Sequence, residues 1–372
     1  MRIYLLLMLV AAAVTYLTTP LARWIALRSG AITAVRDRDV HAVPIPRMGG
    51  VAMLLGMGAA MALASQMPFL AGVFAASSTV WAILGGATLV CLLGVADDIW
   101  QLDWATKLIG QVLAAGFMAW QGGVQLLALP IGGDLTIGSS QLSLIATVLV
   151  IVVAINAVNF VDGLDGLAAG LIAIGGSGFF AYTYLLSRDA SPGDYSNLAS
   201  LVVAVLVGAC LGFLPHNFHP ARIFMGDSGA MLIGLTIAAA AIVVTGQLDS
   251  VTVSTRQQFP AFVPLLLPVA VLLLPLLDMV LAVVRRVVAG KSPFHPDRRH
   301  LHHRLLGLGH SHRRAVVIMY LWTALFAFGG AALAVWTTEQ VLWSVGVGAV
   351  VVLALTLGPL RGKARRAAMG AP

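Results

Sequence analysis

Eleven apolar stretches, each long enough or nearly long enough to cross a bilayer, dominate this chain of 372 residues. They run approximately over 3–24, 48–66, 73–95, 108–120, 142–158, 167–186, 198–214, 229–245, 261–284, 315–335 and 341–360. Roughly 20 apolar residues in a helix span the hydrocarbon layer, and a segment in lipid must satisfy its own backbone hydrogen bonds. Only 10% of the residues are charged, 59% are hydrophobic and the mean hydropathy is +0.94. Those values exclude a water-soluble globular enzyme and a disordered chain. The expected fold is all-α: a polytopic integral membrane protein of about 11 transmembrane helices. The fourth stretch is short, and Pro264, Pro268 and Pro275 predict a kink in the ninth. Residues 1–24 read as a membrane helix rather than a cleaved leader, because the apolar run is long and opens a membrane domain. Cys91 and Cys210 both lie inside apolar runs and offer no disulfide or zinc framework.

The basic residues orient the chain. If odd-numbered segments end in the cytoplasm, that side holds 19 of the 22 Lys and Arg, and the other holds only Arg2, Arg188 and Arg256. This positive-inside bias predicts the amino terminus outside and the carboxyl terminus in the cytoplasm. All nine histidines and nine of the aspartates fall on the same side. Histidine has no part in topology, so its one-sided placement points to a catalytic or binding face toward the cytoplasm. The expected organisation is one transmembrane catalytic domain over 1–360 and a basic tail over 361–372. The loops 28–47, 96–107, 156–166, 215–228 and 285–314 form its active face. The loop 121–141, with Gly132-Gly133-Asp134, is expected to form a small outer hairpin without an assigned role.

Four clusters carry chemistry on that face. Asp97 and Asp98 adjoin at the end of an apolar segment, where two carboxylates repel unless a cation lies beside them; Asp103 and Lys107 follow closely and are expected to complete an anion and cation site. Asn159, Asp162 and Asp165 recur every third residue, with Gly163 and Gly166 favouring a loop, and the D-x-D-x-D-G spacing of a calcium loop is missing. Asn217, Phe224 and Gly226-Asp227-Ser228-Gly229 come next. That tetrapeptide also surrounds a trypsin-type serine, but here it opens straight into an apolar run, so a protease is discarded. A carboxylate beside glycines at a helix start suits a metal near phosphate oxygens, and Phe224 offers a flat surface for a base. The last cluster interleaves His295, His300, His302, His303, His310 and His312 with Arg298, Arg299, Arg304, Arg313 and Arg314. The arginines argue for a bound phosphate rather than a zinc ion. Acids for a hard cation and bases for a polyanion, both at the lipid boundary, fit phosphoryl transfer between a nucleotide and a lipid.

In this order and between apolar segments, these motifs resemble the polyprenyl-phosphate N-acetylhexosamine-1-phosphate transferase superfamily (glycosyltransferase family 4). The resemblance extends from Pro46-Arg47-Met48-Gly49-Gly50 through Arg314. Within it, the chain is most similar to the actinobacterial branch that uses decaprenyl phosphate. Leu301 interrupts the three contiguous histidines of the muramoyl-pentapeptide branch, which puts that substrate in doubt.

The resemblance implies a bacterial plasma-membrane enzyme with its active site facing the cytoplasm. It implies transfer of N-acetylglucosamine 1-phosphate from UDP-N-acetylglucosamine to an undecaprenyl or decaprenyl phosphate. UMP is released, in the first membrane step of cell-wall polysaccharide synthesis. The implied catalytic residues are Asp97, Asp98 and Asp227, with Asp227 and Asp98 as ligands of Mg²⁺, or of Mn²⁺ in its place. Substrate contacts fall to Lys107, Asn159, Asp162, Asp165, Asn217, Phe224, His300, His302, His303 and Arg304. The implied partners are the two substrates and the bilayer, with no nucleic acid; a homodimer is compatible with the resemblance. The same chemistry on another UDP-sugar stays open. So does a secondary transporter, for which Asp278 is the one acid well inside a span.

Overall fold

The computed structural model describes the chain apart from residues 33–43, 76–77, 127, 131–133, 137–138, 191–195, 247–266, 268, 291–299 and 359–372; for 128–130, 134–136, 187–190, 196–197, 246 and 302 it describes the backbone alone. The described chain is helical except for one short hairpin. The first part comprises α1 (Arg2–Ser29), α2 (Gly49–Ser65), α3 (Ala71–Ala75), α4 (Thr79–Trp100) and α5 (Trp104–Gly122). The hairpin pairs β1 (Ala128–Pro130) antiparallel with β2 (Asp134–Thr136), Leu129 opposite Leu135. There follow α6 (Ser140–Val161), α7 (Leu167–Ala190), α8 (Ser196–Asn217), α9 (Gly226–Gly246), α10 (Leu273–Val288), α11 (Leu301–Gly307), α12 (His312–Ala332) and α13 (Thr338–Thr356).

Among the described residues, eight helices are long and apolar enough to cross a membrane: α1, α4, α6, α7, α8, α9, α12 and α13. The other expected stretches also contain helices, namely α2, α5 and α10, and α2 with the residues after it bends by 91°. Pro275 lies in the first turn of α10, where the ring fits and no intrahelical donor is lost. The predicted kink at Pro264 and Pro268 lies outside the described residues, as does the basic tail.

Helices in lipid gain little from apolar burial alone and associate through close packing, which favours small residues at their interfaces. Helix α8 lies along α1 in this way: a Cβ on Gly208 would stand 2.2 Å from the Met8 carbonyl oxygen, and one on Gly212 would stand 2.1 Å from that of Ala12. Helix α9 is the central post, buried along nearly all its length against α2, α4, α6 and α8. Chain direction alternates, so the ends of α4, α6, α8 and α10 meet the starts of α2, α5, α7, α9 and α12. The chemistry-bearing segments therefore gather at one end of the bundle.

The helices run further into the expected loops than the sequence reading allowed. Helix α6 continues to Val161, so Asn159 is helical while Asp162 and Asp165 stand in the turn after it. Helix α8 continues through Pro215 to Asn217, and the segment before α9 shrinks to residues 218–225.

Candidate active site

The start of α9 is built by contact with α4. Both oxygens of Asp98 accept backbone N–H groups there, Asp227 at 3.0 Å and Ser228 at 3.3 Å. A carboxylate so placed satisfies the orphan donors of a helix start and its partial positive charge. Two glycines permit the approach: a Cβ on Gly94 would lie 2.3 Å from the Ser228 nitrogen, and Gly226, at φ +72°, would drive one into Asp98. The segment before α2 braces the same place, since Phe224 donates to Pro46 at 2.8 Å and Gly49 donates back to Phe224 at 3.1 Å. This leaves the Phe224 ring half-buried at the edge of the site.

Anchored in this way, Asp227 faces Asp97. The Lys107 ammonium bridges them, 2.5 Å from Asp97 Oδ2 and 2.9 Å from Asp227 Oδ2. Lys107 reaches this point because Asp103 caps α5, accepting from Ala105 at 2.9 Å and Thr106 at 3.1 Å; the Thr106 bonds hold the Asp103 carboxyl below its usual range. Asp103 is thus a helix cap rather than a member of the anion site. Asn159, on the last turn of α6, lies near enough for its side chain to act on the Asp227 carboxylate. The other oxygen of Asp97, Oδ1, is buried without a hydrogen-bond partner among the described residues.

Asp162 stands just past the end of α6. Burial pushes its carboxyl up to about 7, and the negative charges of Asp227, Asp98 and Asp165 act in the same direction, while the Arg47 guanidinium opposes them. Arg47 is the positive charge near both Asp98 and Asp162.

Three segments are clasped beside this cluster. Asn217 accepts from the Gly166 backbone at 3.0 Å and donates to the Ile223 carbonyl at 3.0 Å. Asp165 Oδ2 accepts from Ala221 at 3.1 Å and lies 2.8 Å from His219 Nδ1, and Tyr320 on α12 donates to the Gly166 carbonyl. The His219 ring stacks on His312, centroids 4.4 Å apart and planes at 22°. Ligand atoms of Asp165, His219 and His312 lie within 4.8 Å of one another. Imidazole lone pairs lie in the ring planes, and stacked planes do not converge on one ion, so the trio works as a clasp between segments.

On the far side, His300 Nδ1 is 3.0 Å from Asp278 Oδ2, and its ring meets Phe160 edge-on at 5.6 Å. His303 and Arg304 are exposed on α11. The His302 side chain lies outside the described residues, as do His295, Asp297, Arg298 and Arg299.

The model of glycosyl transferase family 4 matches residues 80–245, the stretch holding Asp97 through Asp227. The decaprenyl-phosphate N-acetylglucosaminephosphotransferase of Mycolicibacterium smegmatis is 46% identical over 95% of this chain and 87% of its own length. The chain belongs to glycosyl transferase family 4. The decaprenyl-phosphate N-acetylglucosaminephosphotransferase of Mycobacterium tuberculosis is likewise 46% identical, over 95% of this chain and 88% of its own length. A probable undecaprenyl-phosphate N-acetylglucosaminyl 1-phosphate transferase of Bacillus subtilis is 32% identical over 87% and 83%.

In this family-4 chain, the residues expected from the sequence separate into two groups. Asp97, Lys107 and Asp227 converge within bonding distance, with Asn159 beside Asp227 and Asp162 and Phe224 at the margin. Asp98, Asp165 and Asn217 spend their polar atoms inside the protein: the first holds the start of α9 and the other two hold the turns beside it. The hydrogen bonds therefore favour Asp98 as an anchor of Asp227 over Asp98 as its fellow metal ligand. Asp278, which kept a transporter open, is bonded to His300 and to the start of α11. Arg47 had no role of its own in the sequence reading; its signal was a basic residue immediately before Met48-Gly49-Gly50 and a span.

Proposed function

We propose that this protein transfers N-acetylglucosamine 1-phosphate from UDP-N-acetylglucosamine to a polyprenyl phosphate, forming polyprenyl-diphosphate-N-acetylglucosamine and releasing UMP. The observation that carries the reading is the cluster of Asp97, Asp227, Lys107 and Asn159 at one end of a membrane-type bundle. It joins alternating charges suited to a diphosphate with a place at one end of a bundle of membrane-length helices. The names of the relatives point to the same transferred group and the same class of acceptor.

An oxygen of the lipid phosphate attacks the sugar-bearing phosphorus of the nucleotide. A new P–O bond forms in line, the P–O bond to the α-phosphate breaks, and its electron pair leaves with UMP. A phosphate monoester has a second pKa near about 6, so the attacking group is already largely dianionic at neutral pH. The acids are then free to position rather than to deprotonate. Lys107 would supply an ammonium for the phosphates, and Phe224 a surface for the uracil. His300, His303 and Arg304 would supply donors to the sugar or phosphate.

The donor set fits a hard divalent cation: the Asp227 carboxylate, the unpartnered Asp97 Oδ1 and the Asn159 amide are all oxygen ligands of the kind Mg²⁺ takes, and Mn²⁺ as well. Bound there, Mg²⁺ would neutralise charge developing on the diphosphate.

The reading puts the protein in a bacterial plasma membrane with eleven spans, the amino terminus outside and the site on the cytoplasmic side. The excess of Lys and Arg at the end of the bundle that holds the acids supports this. The test is to incubate membranes with labelled UDP-N-acetylglucosamine and polyprenyl phosphate. Label is expected in the organic phase, with competing UDP-sugars ineffective as donors. Label trapped in the vesicle lumen would overturn the reading in favour of transport. Stoichiometric UMP released from the nucleotide sugar alone would overturn direct transfer.

A further inference from the structure

The geometry points to Asp278 as the positioning residue that fixes the orientation and the tautomer of His300, and through it the approach of α11 to the nucleotide sugar. The inference rests on the proposed transfer reaction and adds to it a residue well away from the acidic cluster.

Asp278 lies on α10 with 0% of its surface exposed. A carboxylate in such surroundings is retained only when it is fully paired, because its desolvation costs several kcal/mol. Both its oxygens are used, and on consecutive residues: Oδ2 faces His300 Nδ1 at 3.0 Å, and Oδ1 accepts the Leu301 backbone N–H at 2.7 Å. The His300 side chain does not cap its own helix. Asp278 therefore takes that role from a neighbouring helix while holding the ring.

A carboxylate can only accept, so Nδ1 of His300 must carry the proton. In the neutral ring the lone pair is then confined to Nε2. The plane of the ring is fixed at its other side by Phe160, whose face is covered by the Arg286 guanidinium at 5.3 Å. Phe160 directly follows Asn159, whose side chain lies near the Asp227 carboxylate. The buried acid thus sets one edge of an imidazole that packs against the last turn of α6, the turn that also carries Asn159.

The test is a double-mutant cycle in the full-length purified enzyme, using Asp278→Asn and His300→Asn. The amide at 278 keeps an acceptor for the Leu301 N–H but reverses the polarity offered to His300. Asp278→Asn is expected to keep a thermal midpoint near that of the wild type and to raise KM for UDP-N-acetylglucosamine about tenfold. KM for polyprenyl phosphate is expected to stay unchanged. In the His300→Asn background the second substitution is expected to add nothing. A loss that multiplies across the two sites, or an equal rise in both KM values, would overturn the inference. If Asp278→Asn does not fold, Asp278→Glu replaces it in the same cycle; it keeps the charge and displaces the ring. Wild-type enzyme that fails to transfer label to lipid would instead sink the reaction. Coupling between the two sites in thermal midpoint would then still report whether 278 and 300 act as a unit.

Discussion

Asp98 holds Asp227 by its backbone rather than by its side chain, accepting the Asp227 N–H at 3.0 Å and the next N–H at 3.3 Å. Two acids that look equivalent in sequence, Asp97 and Asp98, therefore differ in task. Asp97 shares Lys107 with Asp227, and Asp98 fixes where Asp227 stands.

Asp98→Asn and Asp97→Asn should consequently fail in different ways. Losing the charged cap at 98 is expected to cost about 1 kcal/mol of stability together with activity. At 97 the folded protein should keep its stability while turnover falls by about 10²-fold or more. Thermal midpoints and initial rates of lipid-linked sugar formation check both, and equal loss of stability in the two variants would count against the division.

Lys107→Met removes the cation between two carboxylates. The variant is expected to lose turnover and thermal stability, with added Mg²⁺ restoring more of the lost stability than it adds to the wild type. A thermal titration with Mg²⁺ reads this directly. Identical responses in the two proteins would mean that Lys107 and the cation do not meet the same acids.

The carboxyl of Asp162 is pushed from 3.8 to about 7 by burial and by its acidic neighbours. The folded state therefore binds this proton more tightly than the unfolded chain does. Its contribution to stability is complete below about pH 4 and is lost as the pH rises toward about 7. Asp162→Asn abolishes that loss, so its thermal midpoint relative to wild type should climb between these limits and level off above them. Parallel profiles across the range would show that Asp162 does not titrate there.

Turnover should vanish in a chelator and return with Mg²⁺. Asp227→Asn should not be rescued at any Mg²⁺ concentration. Full activity in the chelator would remove the metal from the reaction.

Gly212→Leu places a branched side chain where the Ala12 carbonyl already stands. It is expected to abolish accumulation of folded protein, whereas Gly58→Ala, with nothing within 4 Å of its new methyl group, is expected to accumulate normally. Quantified monodisperse protein after extraction compares the two.

The all-helical membrane character and the place of eight of the apolar segments could be read directly, because hydrocarbon thickness imposes a length that composition reveals. The acidic and basic clusters could be read as well, since charge is costly in such a chain and survives at segment ends. The sequence reading did not single out Gly208 and Gly212, because small residues four apart carry no sign of the helix that they will meet. What the linear order could not assign was the division of labour among like residues. Asp97, Asp98, Asp162, Asp165 and Asp227 are one residue type on one face, and only packing decides which of them meets an ammonium, a helix start or a neighbouring loop. Asp278 is the plainest case: in the sequence it was only the one acid well inside a span, and its partners emerged only when α10 set it against His300 and the start of α11. Composition and spacing decide how much charge a membrane chain can carry and near which ends. The pairing of each charge depends on distances of about 3 Å between residues far apart in sequence, and those exist only once the helices have packed.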